Sequence, residues 1–372
     1  MYTERNSSYN SAPLCTFNAP LFLRYVGTSV VVLGLLGNFL SILVFSRKTL
    51  RSRSCSIYFL ALSVSDVHVL LGYTIETLLS YGFNSQLLSY PLMCKLIIFL
   101  IYASTDVSNY LLTLAAIDRC ILVSNYSVRF RFCRKSTAKL AVLIVVLVFS
   151  LINSHILIGF HVDETGSCVT MNTTYSSFYT NYYDSYIDIV KTVLLPFLII
   201  FICNIFIIFK YTRRIHFSMA KISSKRKSRR RREKDRQLTW FLLSTSILFV
   251  ILSLPSEIND FIRPYLSSNF QIVYFCQIRA CATMLILIHQ INHASHFYVY
   301  TLTGPIFRKE FQRLICLSPK QPRKKDFLVH LQQPSLTLNV SPQYDLDTHQ
   351  INNSRIPHSS NSSAYVSFQA SI

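Results

Sequence analysis

The chain has 372 residues, of which 51% are hydrophobic and only 15% charged, and its mean hydropathy is +0.35. A soluble domain carries roughly 25% charged residues, so the composition argues against one and points to a membrane. The formal net charge is +20, but the basic residues lie in short stretches between apolar runs. That pattern is a topology signal and excludes nucleic acid as the expected partner.

Residues 1–21 are polar and hold no basic segment followed by an apolar core, so no cleavable leader is expected and the first apolar run is read as a retained span. Seven apolar runs follow: Tyr25–Phe45, Ile57–Tyr81, Leu96–Ile117, Leu140–Phe160, Thr192–Phe209, Leu238–Pro255 and Ala280–Thr303. Each is near the ~20 residues that cross a hydrocarbon core as a helix. The expected fold is therefore an all-α membrane protein, a seven-transmembrane helix bundle over residues 22–303.

Lysine and arginine set the orientation. The first loop holds Arg47, Lys48, Arg51 and Arg53 with no acid. The third holds Arg129, Arg131, Arg134, Lys135 and Lys139, and the fifth the block Lys225–Arg232. The alternate loops carry Asp163, Glu164, Asp184 and Asp188 with few bases. The N-terminus is read as extracellular and the C-terminus as cytoplasmic, in a multi-pass protein of the plasma membrane. The block Lys225–Arg232 suits the anionic inner leaflet, a cytoplasmic protein partner, or a purely topogenic role.

Asn6 and Asn172 open Asn-X-Ser/Thr sequons on the outer side, where glycosylation is open to both. Residues 304–316 carry apolar side chains at 307, 311 and 314 on one helical stripe with a basic opposite face, which predicts a short amphipathic eighth helix on the inner leaflet. Cys316 at its end is a lipidation site or an ordinary free thiol. Residues 317–372 are rich in Ser, Asn, Gln and Pro and are expected to be a disordered tail.

The third run starts at Cys94 and ends in Asp118-Arg119-Cys120, with Asp106, Ser108 and Asn109 inside it. A charged pair at the end of a spanning helix marks a functional face. Together with Gly37-Asn38, Leu62-Ser63-Val64-Ser65-Asp66, Pro196, Phe249, Pro255, Asn292 and Tyr300 on their respective runs, this chain resembles the rhodopsin-like (class A) G-protein-coupled receptors over residues 22–316. The resemblance implies an extracellular ligand, a heterotrimeric G protein, arrestin and a receptor kinase as partners, and no enzymatic activity.

It also implies site residues. Cys94 and Cys168 match the family's bridge from the third span to the second outer loop. Asp118, Arg119, Asp235 and Tyr300 match the G-protein switch. Asp66, Ser108 and Asn292 match an internal sodium pocket, the only cofactor in view. His296 stands where the family has Asn or Asp, and a protonated His296 would pair with Asp66 in place of the ion. Cys15 and Cys276 are a second disulfide candidate on parity alone, with Cys281 competing. The chain departs from the family at Cys120, Ser253, Asn204 and His296-Phe297. Its only tryptophan is Trp240. These departures bear on the activation relay more than on the scaffold.

Ile101 stands where an amine receptor needs Asp, and Gln290 where an opsin needs lysine. Phe249, Ser253, Ser256, Glu257 and Asp260 recur at helical spacing on one face of the sixth span. With Glu76, Asp184 and Asp188 they make an acidic mouth, partly offset by Lys191, Arg263 and Arg279. Tyr175, Tyr179, Tyr182, Tyr183 and Tyr186 add large contacts from the second outer loop. A short basic neuropeptide, such as an amidated Arg-Phe peptide, is the expected ligand; the alternative is that these acids are solvated loop charges. Rival readings are a non-signalling decoy of the same fold and a transporter, which would show internal repeats and broken spans.

Overall fold

A computed structural model describes residues 18–48, 50–51, 54–124, 132–219, 226–262, 265–266 and 273–315, without the side chains of 211–242 and 306. Seven long helices run through it: α1 (Ala19–Phe45), α2 (Ser54–Gly82), α3 (Pro91–Val123), α4 (Lys135–Gly159), α5 (Thr173–Lys210), α6 (Arg226–Ile262) and α7 (Phe275–Thr303). Six of them contain windows apolar enough to cross a membrane. α7 does not meet that measure. It carries His289, Gln290, Asn292, His293 and His296, and these five side chains are buried in the bundle.

Helix starts follow local chemistry. The Asn18 side chain accepts from the Leu21 N–H at 3.0 Å, and Pro20 occupies the first turn of α1, so α1 begins at Ala19, ahead of the expected 22. Pro91 likewise opens α3. At 33 residues, α3 is about 50 Å long. It packs against α2, α4 and α5, while α1 meets both α2 and α7, and α6 meets both α5 and α7, closing a ring. α4 is hydrophobic all round: Leu140, Leu143, Ile144, Leu147 and Leu151 are exposed, as a lipid-facing helix requires. Pro255 lies inside α6.

The start of α5 differs from expectation. The Tyr-rich stretch read as a loop is helical, because α5 starts at Thr173 with Asn172 as its cap. α7 runs on through Phe297 without a proline. A β-carbon on Gly37 would stand 3.0 Å from that of Phe297, and one on Gly34 2.7 Å from that of Ala294, so α1 and α7 approach closely.

After α4 comes an antiparallel hairpin of β1 (Phe160–Val162) and β2 (Cys168–Thr170), with Val162 opposite Cys168. Its turn includes Gly166 at φ +76°, a conformation glycine takes at little cost. The eighth helix, α8, is Pro305–Ile315. Phe307 packs on Phe45 and Tyr300 at ring separations of 5.2 and 5.5 Å. Its Glu310 is buried and paired with Arg47 at 3.3 Å and Arg313 at 2.6 Å, so the helix is tied to the end of α1 as well as being amphipathic. The expected tail at 317–372 lies outside the described residues.

Candidate functional site

Near the Cys94 end of the bundle, an ion cluster joins three helices. Asp106 of α3 is fully buried. Lys191 of α5 donates to its two oxygens at 3.0 and 2.8 Å and also to Asp188, one helical turn away. The Thr192 hydroxyl donates to Asp106 at 2.7 Å, and Asn153 of α4 donates at 2.8 Å. Tyr183 donates to Asn153 at 2.5 Å, Tyr179 to Tyr102 at 2.5 Å, and Tyr102 to Asp184. The Lys191 ammonium lies 5.3 Å from the centre of the Tyr183 ring and 5.8 Å from that of Tyr102. A buried carboxylate is tolerated when it is paired and its remaining lone pairs are bonded, which describes Asp106.

Beside it the predicted acids converge. Glu257 interacts electrostatically with Asp188, Asp260, Asp184 and Lys191. The Tyr73 hydroxyl of α2 feels Glu257, Glu76, Asp260 and Asp188. Glu76, Asp184, Asp188, Glu257 and Asp260, from three helices, therefore share one region with Lys191. Ile101 is buried nearby, with Gly72 against it, and fills space in the hydrophobic cluster of Cys94. Ser253 and Gln290 are buried on α6 and α7.

The Cys94–Cys168 disulfide is formed, tying β2 to the start of α3. In the hairpin turn Asp163 accepts from the Thr165 hydroxyl at 2.7 Å and from the N–H groups of Ser167 and Thr165 at 2.8 and 2.9 Å. These bonds hold its carboxyl below the usual range. On α5, Tyr179 and Tyr183 face inward, whereas Tyr182 and Tyr186 are exposed. The Tyr186 hydroxyl meets that of Tyr265. Asn172 is exposed and caps α5 through its side-chain oxygen, which accepts from the Tyr175 N–H at 2.7 Å. Cys276 is disulfide-bonded and Cys281 is free and exposed, which removes Cys281 as the competitor. Cys15, Asn6 and Cys316 lie outside the described residues.

Mid-bundle, Asp66 of α2 is completely buried. Its Oδ1 accepts from the Ser108 hydroxyl at 2.6 Å and from His293 Nδ1 at 2.8 Å; its Oδ2 accepts from His296 Nδ1 at 2.7 Å. An ionised carboxylate only accepts, so both Nδ1 atoms carry hydrogens. A sodium ion takes oxygen lone pairs, and here they are directed at two N–H groups and a hydroxyl. Asn292 is buried, but its side-chain oxygen has no hydrogen-bond partner among the described residues and no bond joins it to Asp66. These residues do not fit the expected Asp66–Ser108–Asn292 sodium pocket, because two imidazole nitrogens, which are not oxygen ligands, lie against the Asp66 oxygens.

At the far end of α3, Asp118 and Arg119 are both buried. The Cys133 thiol donates to the Asp118 backbone carbonyl at 3.5 Å, and Ser54 of α2 stands beside the Asp118 carboxylate. Tyr300 is buried among Phe45, Phe59 and Phe307. Asp235 lies on α6, but its side chain is outside the described residues.

Sequence reasoning singled out neither Lys191 with Asp106 nor His293 as partners. A charge inside an apolar run was the available signal for Asp106. For His293 it was the helical spacing of 289, 293 and 296.

Comparison with known proteins gives a consistent picture. Residues 37–293 match the family described as 7 transmembrane receptor (rhodopsin family). The chain is 22% identical over 322 residues to somatostatin receptor type 1 of Rattus norvegicus, covering 84% of this chain and 76% of that protein. It is 26% identical over 297 residues to somatostatin receptor type 5 of Bos taurus, covering 77% and 74%.

Proposed function

The chain belongs to the rhodopsin family of seven-transmembrane receptors, and on that basis we propose that it binds a basic peptide at the Cys94 end and activates a heterotrimeric G protein at the Arg119 end. The observation that carries the ligand reading is the gathering of Glu76, Asp184, Asp188, Glu257 and Asp260 in one region with Lys191. Asp106 is already spent on Lys191. Glu257 and Asp260, half-buried on α6, are the carboxylates proposed to meet a ligand ammonium or guanidinium. Similarity to receptors named for somatostatin supports a peptide.

On this reading the Cys94 face is extracellular in the plasma membrane and the Arg119 face cytoplasmic, as the loop cations require. The bridged hairpin forms part of the rim of the ligand entrance, Asn172 is open to glycosylation, and arrestin and a receptor kinase share the Arg119 face. Asp118 and Arg119 form the switch, with Asp235 as the proposed partner of Arg119.

The test is a basic-peptide panel on cells expressing the receptor, read by binding and by G-protein nucleotide exchange. Glu257→Gln and Asp260→Asn should each lower potency by roughly 10–150-fold, the value of a charge-assisted hydrogen bond of ~1.5–3 kcal/mol. An unchanged response in both variants would remove the acidic pocket from the proposal. Arg119→Ala should abolish exchange while peptide still binds. The second reading, a non-signalling decoy, is favoured by Phe297 in place of proline and Ser253 in place of tryptophan. Wild-type binding without exchange is its signature.

A further inference from the structure

His289 and His293 stand one helical turn apart on α7. They are 2% and 0% exposed, and their ring centres are 5.2 Å apart. Among the described residues, neither ring nitrogen of His289 has a hydrogen-bond partner, nor has Nε2 of His293. Buried polar atoms are bonded as a rule, so three bare nitrogens on two touching rings call for a ligand.

The chemistry of those nitrogens is set by Asp66. His293 gives its Nδ1 hydrogen to the Asp66 carboxylate at 2.8 Å, so the neutral ring carries a lone pair at Nε2. A histidine whose second nitrogen is held by a carboxylate is the usual form of a metal ligand, because that bond fixes the tautomer and raises the basicity of the free nitrogen. Two histidines four apart on one helical face can reach a single ion. Imidazoles sharing one tetrahedral zinc at a Zn–N length of about 2.0–2.1 Å have ring centres about 5 Å apart, as these two do.

A path for a cation is also present. The Tyr73 ring of α2 packs on His289 at 5.7 Å, and its hydroxyl feels Glu257, Glu76, Asp260 and Asp188. His289 is thus one aromatic ring below the acidic region. Carboxylates gathered in a recess raise the local concentration of cations, even with Lys191 among them.

We infer that His289 and His293 bind a divalent transition metal, zinc by their chemistry, at the seam between α2 and α7. Imidazole nitrogen suits zinc and leaves Na⁺, Mg²⁺ and Ca²⁺, which take oxygen, without ligands. Asp66 orients His293 and does not itself touch the ion. Among the described residues no three His, Cys, Asp or Glu side chains converge as a metal set. Two of four tetrahedral positions are therefore left to water, and binding is weaker than at a closed structural site. The inference stands apart from the identity of the peptide.

The full-length receptor, purified in detergent without a polyhistidine tag and stripped with EDTA, is titrated with Zn²⁺ and separately with Mg²⁺ while its melting temperature is followed. Zn²⁺ should raise the melting temperature where Mg²⁺ does not, since an ion that binds only the folded state stabilises it. Co²⁺ in place of Zn²⁺ should show the visible absorption of a tetrahedral ion. His289→Phe keeps a ring against Tyr73 and removes two unbonded nitrogens, so its metal-free melting temperature should hold or rise. It should weaken Zn²⁺ at least about 100-fold, since loss of a ligand costs more than the ~10–100-fold lost with an outer-shell partner. His296→Asn, which also loses a bond to Asp66 but no ligand, should keep the zinc response. No zinc-specific rise, an equal rise with Mg²⁺, or a rise that survives in His289→Phe would each overturn the assignment.

Discussion

Lys191 of α5 bonds both carboxylate oxygens of Asp106 on α3, 85 positions earlier in the chain, at 3.0 and 2.8 Å. The Asp106 side chain is 0% exposed and that of Lys191 11%. This pair fixes α5 against α3 at the floor of the acidic region. Lys191 also donates to Asp188, so one ammonium engages two carboxylates.

Removing one partner strands a buried charge. Lys191→Met should destabilise the receptor by about 3–5 kcal/mol, because Asp106 loses its counter-ion in a dry site. Lys191→Met combined with Asp106→Asn should recover part of that loss, since Asp106 is then neutral and only Asp188 is left without its ammonium. Thermal melting of the two single variants and the double variant in one detergent gives the coupling. If the double variant melts as low as the sum of the singles, the pair is not acting as a unit.

The Asp66 cluster predicts how the receptor responds to salt. Because His293 and His296 present N–H groups to the carboxylate, exchanging choline chloride for sodium chloride at constant ionic strength should leave the melting temperature and ligand affinity unchanged. His296→Asn removes a bond at 2.7 Å. It should cost about 1.5–3 kcal/mol, as loss of a hydrogen bond to a charged group does. A sodium-specific rise in melting temperature in the wild type, absent from Asp66→Asn, would show that the ion occupies the site after all.

Much of the scaffold could be read in the chain because lipid leaves few options. Backbone groups must be satisfied within each span, so apolar length alone locates helices. Two places resisted, for opposite reasons. α7 carries buried His and Asn side chains that lower its hydropathy, although the bundle hides them. The start of α5 is so rich in Tyr, Asn and Asp that it reads as loop. Yet Tyr179 and Tyr183, four apart, turn inward while Tyr182 and Tyr186 turn out, which is helical periodicity. The site was half legible. Acids on α6 could be placed on one face by spacing. The union of Asp106 with Lys191, or of Asp66 with His293 at 227 residues' separation, depends on helix rotations that no local pattern specifies.

The hairpin carries a pH prediction. Asp163 accepts from Thr165 and Ser167, which lowers its folded-state pKa. A depressed carboxylate pKa contributes stability above the unfolded value and loses it as pH falls through the folded value. Turn order at 163–167 should therefore persist at neutral pH and fade only at pH below the ordinary carboxylate range. Asp163→Asn should lose that dependence. Hydrogen exchange at the Thr165 and Ser167 amides, corrected for intrinsic rates, checks both. Equal protection across the acid range in the wild type would contradict the assigned bonds.

The contact between α1 and α7 sets the last prediction. A β-carbon on Gly34 would sit 2.7 Å from the Ala294 β-carbon, 2.8 Å from Leu70 Cδ1 and 3.1 Å from the Ala294 backbone. The leucine tip can swing aside, but the Ala294 backbone cannot without displacing α7. That helix also carries His293, whose carbonyl accepts from Asn38 at 3.0 Å. Gly34→Ala should thus cost about 1–3 kcal/mol through overpacking, in spite of the better helix propensity of alanine. Gly27 is the control on the same helix. Its nearest atoms would be 3.5 Å from an added β-carbon, an ordinary contact. Gly27→Ala should be neutral or stabilising by up to ~1 kcal/mol. Melting temperatures that fall for Gly34→Ala alone support a tight α1–α7 seam, whereas equal effects at both positions would mean that general helix behaviour, not the close approach to Ala294, decides the outcome.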